Sequence, residues 1–392
     1  MTLGIYVQVP FCQTKCTYCN FHTGAFSASL YSPYAEAVCR EVRNYDSLLR
    51  AARVALPDDF SSQIVDTIYL GGGTPSLLDP SALACILGAI RERFSTALNE
   101  VTLEADPETI TSAKASAWKA AGFTRISLGV QSFDDRELQS AGRMHRRADV
   151  FSAHDILRSA GFDNLSFDLI AGLPHQSRET SEDSLSELLR LRPEHVSVYL
   201  MEIDEGSRLG KEVLAGGKRY SAEALPSDDA MAEFYESACE RLSLAGYQHY
   251  EISNWALPEH ESRHNLKYWK REPYLGFGAG AHSFSGVERW ANAHEPAAYV
   301  ASLARGVIPL EQLERVTPQQ ALDEEIFLGL RQLQGIDLDL IQAKYNPWFR
   351  GDLRGKLADL ESQGLVESDG ARVRLAPARL AVSNEVFVAL MD

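Results

Sequence analysis

From residue 3 to about 250, short β-like runs alternate with helix-like stretches, and this order restricts the fold more than any single residue does. The strand candidates are Ile5–Val9, Val65–Leu70, Glu100–Glu104, Arg125–Val130, Leu165–Ala171 and Val196–Met201. The pattern predicts helices over about 30–53, 80–95, 108–121, 147–160, 178–190 and 229–245. Strands joined by crossover helices run parallel, so the expected class is α/β, and this many units close into a full or partial (β/α) barrel. Ligands bind at the C-terminal mouth of such strands. Cys12 follows the first strand and Gly71–Thr74 the second, Glu104 ends the third, Gln131 follows the fourth, and Asp168 lies within the fifth. One mouth lined by these residues is therefore the expected site.

The rhythm breaks after about 250. Residues 251–305 form an extension rich in aromatic residues, His and Gly, containing the string HNLKYW. Within 306–392, a helical stretch (Pro318–Leu333) leads to GIDLDLI, a second helix (Leu353–Gln363) and GLVESDGARVRLAP. Two helices followed by a hairpin with a turn at Asp369–Gly370 predict a winged-helix-like α+β domain. The expected organisation is thus a barrel over 1–250 with a ligand loop at 12–19, the extension, and the C-terminal domain.

Composition narrows the function classes. The chain of 392 residues is 45% hydrophobic, enough for a large core, and carries 38 Lys and Arg against 54 Asp and Glu, a net charge of −16. That balance opposes non-specific binding to nucleic acid or anionic membrane. No run approaches the roughly 18 apolar residues of a membrane span, so an integral membrane protein is not expected. The N-terminal MTLGIYVQVPF lacks a basic n-region and reads as a strand, not a signal peptide. A cytoplasmic protein with reduced thiols is expected. Cys39, Cys85 and Cys239 sit in AVCRE, LACIL and SACER, where buried packing thiols are expected.

Cys12, Cys16 and Cys19 form C-x3-C-x2-C on a loop directly after strand one. Thiolates are the soft, charged ligands of iron–sulfur clusters, and three of them on a four-iron cube leave one iron open to a chelating ligand. The alternative is a zinc knuckle with His22 as fourth ligand; structural zinc sites favour paired C-x2-C motifs, and no second pair exists. Gly71-Gly72-Gly73-Thr74-Pro75 lies between a strand and a helix. It reads either as a cradle whose N–H groups meet a polar ligand or as a tight βα turn. It is not a P-loop, because no Gly-Lys-Ser/Thr follows.

The strings YVQVPFCQTKCTYCNF, YLGGGTPS, LEADP, SLGVQSF, GRMH and DLIAGLPHQ, in this order, closely resemble the radical S-adenosylmethionine superfamily. Within it they resemble the branch of oxygen-independent coproporphyrinogen III oxidases and HemW-type heme chaperones. The resemblance implies a radical SAM partial barrel with a [4Fe-4S] cluster on Cys12, Cys16 and Cys19. It implies that Tyr6 and Tyr18 flank the cluster, with Tyr18 toward the adenine. Gly72, Gly73 and Thr74 would meet the methionine end of S-adenosylmethionine, and Glu104, Gln131, Arg143 and Asp168 would hold its methionine and ribose groups. The types suit that ligand, whose ammonium and hydroxyls want carboxylates and whose carboxylate wants Arg.

Three features separate the branches. The oxidases resemble C-x3-C-x2-C-x-C, whereas this chain has Phe21 at the last position, like the chaperones. The oxidases carry an added segment before the first strand, and here the strand begins almost at Met1. His264–Trp269 matches the chaperones' H-N-x-x-Y-W, which implies heme at His264; His is a common axial heme ligand. His282, in GFGAGAHS, is a second choice. The expected function is a heme chaperone that binds heme, the cluster and S-adenosylmethionine and passes heme to apo-hemoproteins, including acceptors at the membrane. The alternatives are coproporphyrinogen III decarboxylation in porphyrin biosynthesis, or a related methyltransferase or cyclopropanase.

Overall fold

The structure is a computed structural model that describes residues 2–54, 56–57, 60–349 and 351–391. The six expected strands are present as β1 (Thr2–Val9), β2 (Ile64–Gly72), β3 (Thr96–Ala105), β4 (Arg125–Gln131), β5 (Leu165–Ala171) and β6 (His195–Leu200). They lie side by side in chain order, each parallel to the next.

Alternation along β1 shows how sequence builds the barrel wall. Leu3, Ile5, Val7 and Val9 are buried under the helix Tyr31–Arg43, beside Tyr34, Val38 and Val42. Each such side chain contributes roughly 1.5–3 kcal/mol by leaving water. The residues between them, Gly4, Tyr6 and Gln8, face the lumen. The other strands follow suit, so Thr67, Tyr69, Thr102, Glu104, Arg125, Ser127, Ser166, Asp168, His195 and Ser197 make the barrel interior polar. A packed barrel core would hold branched apolar residues there. The inner face of the sheet is thus lined by hydrogen-bonding and ionisable side chains.

The sheet continues on both sides. The hairpin β7 (Gln248–Glu251) and β8 (Asn254–Ala256) adds to β6, while β9 (Tyr274–Phe277), β10 (His282–Phe284), β11 (Glu288–Asn292) and β12 (Leu310–Arg315) extend from β1. Among the described residues, the sheet order is β12-β11-β10-β9-β1-β2-β3-β4-β5-β6-β8-β7, with neither end joined to the other: a partial barrel. The change of rhythm near residue 251 is thus a change of element type within one sheet.

Toward the C-terminus, helices Pro318–Arg331, Leu338–Lys344 and Leu353–Ser362 pack on a small antiparallel sheet of order β13 (Ile336–Asp337), β15 (Arg372–Leu375), β14 (Val366–Asp369). Gly370 takes a left-handed φ of 63° in the β14–β15 turn, which favours Gly over a residue with a Cβ. Among the described residues, no helix is long and apolar enough to cross a membrane.

Among the isolated cysteines, Cys39 is buried as expected, Cys239 is half-buried, and Cys85 departs from expectation. Cys85 is exposed, and its sulfur lies 3.3 Å from that of Cys39, between helices Tyr31–Arg43 and Pro80–Arg93. Helical periodicity within one segment does not reveal which face meets another cysteine.

Candidate functional site

The cysteine loop leaves β1 at Pro10 and is pinned from three directions. Gly24 N–H donates to Pro10 O (3.0 Å) and Cys12 N–H to Gly24 O (2.9 Å). Thr17 N–H reaches Ala141 O at 3.0 Å, and Leu209 N–H reaches Thr17 O at 2.8 Å. Cys12, Cys16 and Cys19 are half-buried free thiols on this loop. Burial pushes the Cys12 thiol up to about 11, so ligation there must release a proton. Tyr18 packs under the loop on a small apolar group of Ala141, Ile170, Leu173 and Met201.

Among the described residues, no three His, Cys, Asp or Glu groups converge to hold a single ion. His22 is exposed, its ring 5.1 Å from that of His294. A cubane distributes its thiolates over separate iron corners and does not require them to meet at a point. The donor set, three half-buried thiols on a firmly anchored loop at the rim of the strand ends, fits a cluster better than zinc.

The glycine turn is the tighter of the two forms its sequence allows. Gly73 N–H donates to Val9 O (2.8 Å), Thr74 N–H to Phe11 O (2.7 Å) and Gly72 N–H to Glu104 Oε2 (2.9 Å). These N–H groups are committed to the protein, so they do not form an open cradle. The glycines serve close approach: a Cβ at Gly73 would lie 2.6 Å from Phe11 O. The turn thereby seats β2 against the base of the cysteine loop.

Arg143 is likewise engaged. Its guanidinium pairs with Asp106, donates to Gly129 O at 2.8 Å, and approaches Cys16 Sγ at 3.6 Å. Thr74 Oγ1 donates to the other Asp106 oxygen at 3.0 Å. Arg143 is therefore not an open fork for a ligand carboxylate; it sets a positive charge beside a cysteine sulfur. Asp106, the last acidic residue of LEADP, is a site residue that motif reading passed over.

Glu104 and Asp168 stand in the lumen below the loop. Glu104 accepts from Tyr69 OH (2.8 Å) and Gly72 N–H (2.9 Å), and burial pushes it up to about 7, with Asp168 and Asp106 adding to the rise. Burial also raises Asp168, although Ser197 and Ser127 donate to it. Two carboxylates made costly to ionise by burial fit a ligand that brings an ammonium, a sulfonium or hydroxyl donors. Gln131 ends β4 with a left-handed φ of 65°, where the β4–β5 register shifts. That conformation is uncommon outside glycine and turns the residue at the mouth. Tyr6 lies deeper than expected, its ring stacked on Tyr69 and His264 and its hydroxyl donating to Gln8 Oε1 at 2.7 Å. Tyr69, Gln8 and Ser127, none singled out from sequence, complete the wall; strand alternation was the signal that could have found them.

His264, the expected heme contact, lies away from the mouth. It lies on the helix Arg263–Trp269, which closes the lower end of the lumen, and it is 1% exposed. Its Nδ1 bonds Thr67 Oγ1 and its Nε2 bonds Tyr268 OH, both at 2.9 Å. Burial, helped by Lys267 and Arg125, lowers it to about 3 and keeps it neutral. With both ring nitrogens bonded and the ring enclosed, His264 is not an open heme ligand in this fold. His282 is exposed on β10.

The model of the radical SAM superfamily matches residues 6–188, and that of the HemN C-terminal domain matches residues 316–378. The heme chaperone HemW of Bacillus subtilis is 34% identical over 98% of this chain and 98% of its own. That of Mycobacterium tuberculosis is 34% identical over 94% and 92%, and that of Escherichia coli K12 is 34% identical over 71% and 70%. Among solved structures, coproporphyrinogen III oxidase (HemN) from Escherichia coli superposes with a TM-score of 0.82 over 99% of this chain and 90% of its own. At 23% identity, that likeness speaks to the fold.

Proposed function

We propose, from the premise that this chain belongs to the family of the heme chaperone HemW within the radical SAM superfamily, that it binds heme and delivers it to apo-hemoproteins. The observation that carries the reading is end-to-end similarity to relatives of that name, 34% identity over 98% of both chains. Phe21 supports it: at the position where the oxidase pattern has a fourth cysteine, an exposed phenyl ring (66%) stands beside the cysteine loop.

Cys12, Cys16 and Cys19 would hold the [4Fe-4S] cluster, and Tyr18, Gln131, Glu104 and Asp168 would orient S-adenosylmethionine at the mouth. When bound, the cluster supplies an electron to the ligand's sulfonium. Arg143 keeps a cation against Cys16, Glu104 and Asp168 face the ligand's cationic and hydroxyl groups, and the Gly72–Thr74 turn holds the loop at its height above the lumen. The protein would act in the cytoplasm, on apo-hemoprotein acceptors that include membrane-held ones, and not on nucleic acid.

The test is anaerobic reconstitution with iron and sulfide, followed by heme titration and incubation with an apo-hemoprotein. A Soret band that moves from this protein to the acceptor is expected. A parallel assay with coproporphyrinogen III should give no product. Protoporphyrinogen formation without heme transfer would overturn the proposal in favour of the oxidase.

A further inference from the structure

The lower lumen holds a cation that this function leaves unused. Arg125 opens β4 and is 2% exposed. Alternation places it on the same face as Ser127, whose hydroxyl donates to Asp168 Oδ2 at 3.4 Å, so its side chain points into the lumen. Its Nε and Nη1 are buried without a hydrogen-bond partner. Thr102, the residue paired with Arg125 on β3, also has a buried Oγ1 without a partner.

The neighbours do not supply the missing acceptor. Glu100 accepts the N–H groups of Arg263 and His264 at 3.0 and 3.1 Å, capping the helix that closes the lumen. His195 bonds Ser166 Oγ at 2.8 Å and Tyr250 OH at 2.7 Å through its two nitrogens. His264 is closed in the same way by Thr67 and Tyr268. An enclosed guanidinium with open donors is costly, and such groups call for an explanation in a native fold.

We propose that Arg125 and Thr102 form an anion subsite low in the barrel lumen, which takes a carboxylate of the ligand that enters from the mouth. A guanidinium is suited to a planar carboxylate, and the threonine hydroxyl adds a donor at its side. A singly charged carboxylate is favoured over a phosphate, because Glu100 and Asp168 already place negative charge around Arg125. The carboxylate's source rests on the function proposed above: for heme, it is a propionate side chain.

The experiment uses the full-length protein, Arg125→Met and Arg125→Lys. In one arm, the thermal midpoint is followed against sodium propionate, with sodium chloride at equal ionic strength as control. Wild type should rise with propionate beyond chloride, Arg125→Lys should keep part of the response, and Arg125→Met should show none. In the other arm, heme and heme dimethyl ester are compared by Soret titration. Wild type should prefer heme by about tenfold, the scale of one charge-assisted contact, and Arg125→Met should bind both alike. A propionate response with no heme binding would overturn the heme reading while supporting the subsite. A wild type that ignores propionate and binds heme and ester equally would overturn the subsite, and these two wild-type results decide it whether or not the Met variant folds.

Discussion

Arg143 directs Nη1 at the sulfur of Cys16, 3.6 Å away, from a position 127 residues downstream. The same guanidinium is paired with Asp106, whose other oxygen accepts from Thr74 Oγ1. One cation thus ties the cysteine loop, the end of β3 and the glycine turn together. Arg143→Leu leaves the Asp106 carboxylate without its partner. Since Asp106 retains some exposure, the loss should fall near the low end for a broken buried pair, about 3 kcal/mol. Urea unfolding of the cluster-free protein measures it, and iron content after anaerobic reconstitution should fall as well. Unchanged stability and iron content would remove Arg143 from the architecture of the loop.

Gly73 and Gly88 make a contrasting pair. A Cβ at Gly73 meets Phe11 O at 2.6 Å and Val9 O at 2.9 Å, whereas one at Gly88 meets nothing within 4 Å. Gly73→Ala should destabilise by about 1–3 kcal/mol through overpacking and displace the cysteine loop. Gly88→Ala, on an open helix face, should stabilise by about 0.5–1 kcal/mol. Denaturation of both variants checks the signs, and cluster retention should suffer only in the first.

His264 makes stability depend on acid. Its folded value lies near 3, below the ordinary 6.5 of an unfolded histidine. Between those values the unfolded chain binds a proton that the folded one refuses. The contribution is therefore complete above pH 6.5 and is lost as pH falls toward 3, at up to about 1.4 kcal/mol per pH unit. His264→Ala should be less stable than wild type at pH 7.5, and the gap should narrow at pH 5. His145 and His249, also lowered by burial to about 4, keep the acid loss from vanishing in the variant. Parallel pH profiles for the two proteins would contradict the buried, neutral imidazole.

Glu104 works in the opposite direction. Burial raises it from the ordinary 4.5 to about 7, so the folded protein holds the extra proton between those values. The associated stability is complete below pH 4.5 and is lost as pH rises through 7. Glu104→Gln disturbs the bonds to Tyr69 and Gly72 at every pH and removes the titrating group; because only wild type gains stability toward acid, its penalty should be larger at pH 5 than at pH 8. Glu41, raised equally by burial, is present in both proteins and cancels. A penalty that grows with pH would show that the carboxylate is stabilised in its charged form.

Local regularities made much of this molecule legible in the sequence. Short β-like runs separated by helical stretches marked the six strands and their parallel direction, while their side-by-side order came from tertiary pairing. The cysteine spacing after β1 and the Asp-Gly signal at 369–370 were equally local. The tertiary structure decided which groups remain open. It committed the N–H groups of Gly72, Gly73 and Thr74 to backbone and Glu104 acceptors, and turned Arg143 from a ligand fork into a partner of Asp106 and Cys16. It also enclosed His264 between Thr67 and Tyr268, the former 197 residues away, and left Arg125 without an acceptor on two of its nitrogens. A donor's partner is set by competition among acceptors brought together only when distant strands pair, so residue type and spacing name the candidates for a site while packing determines which of them a ligand can reach.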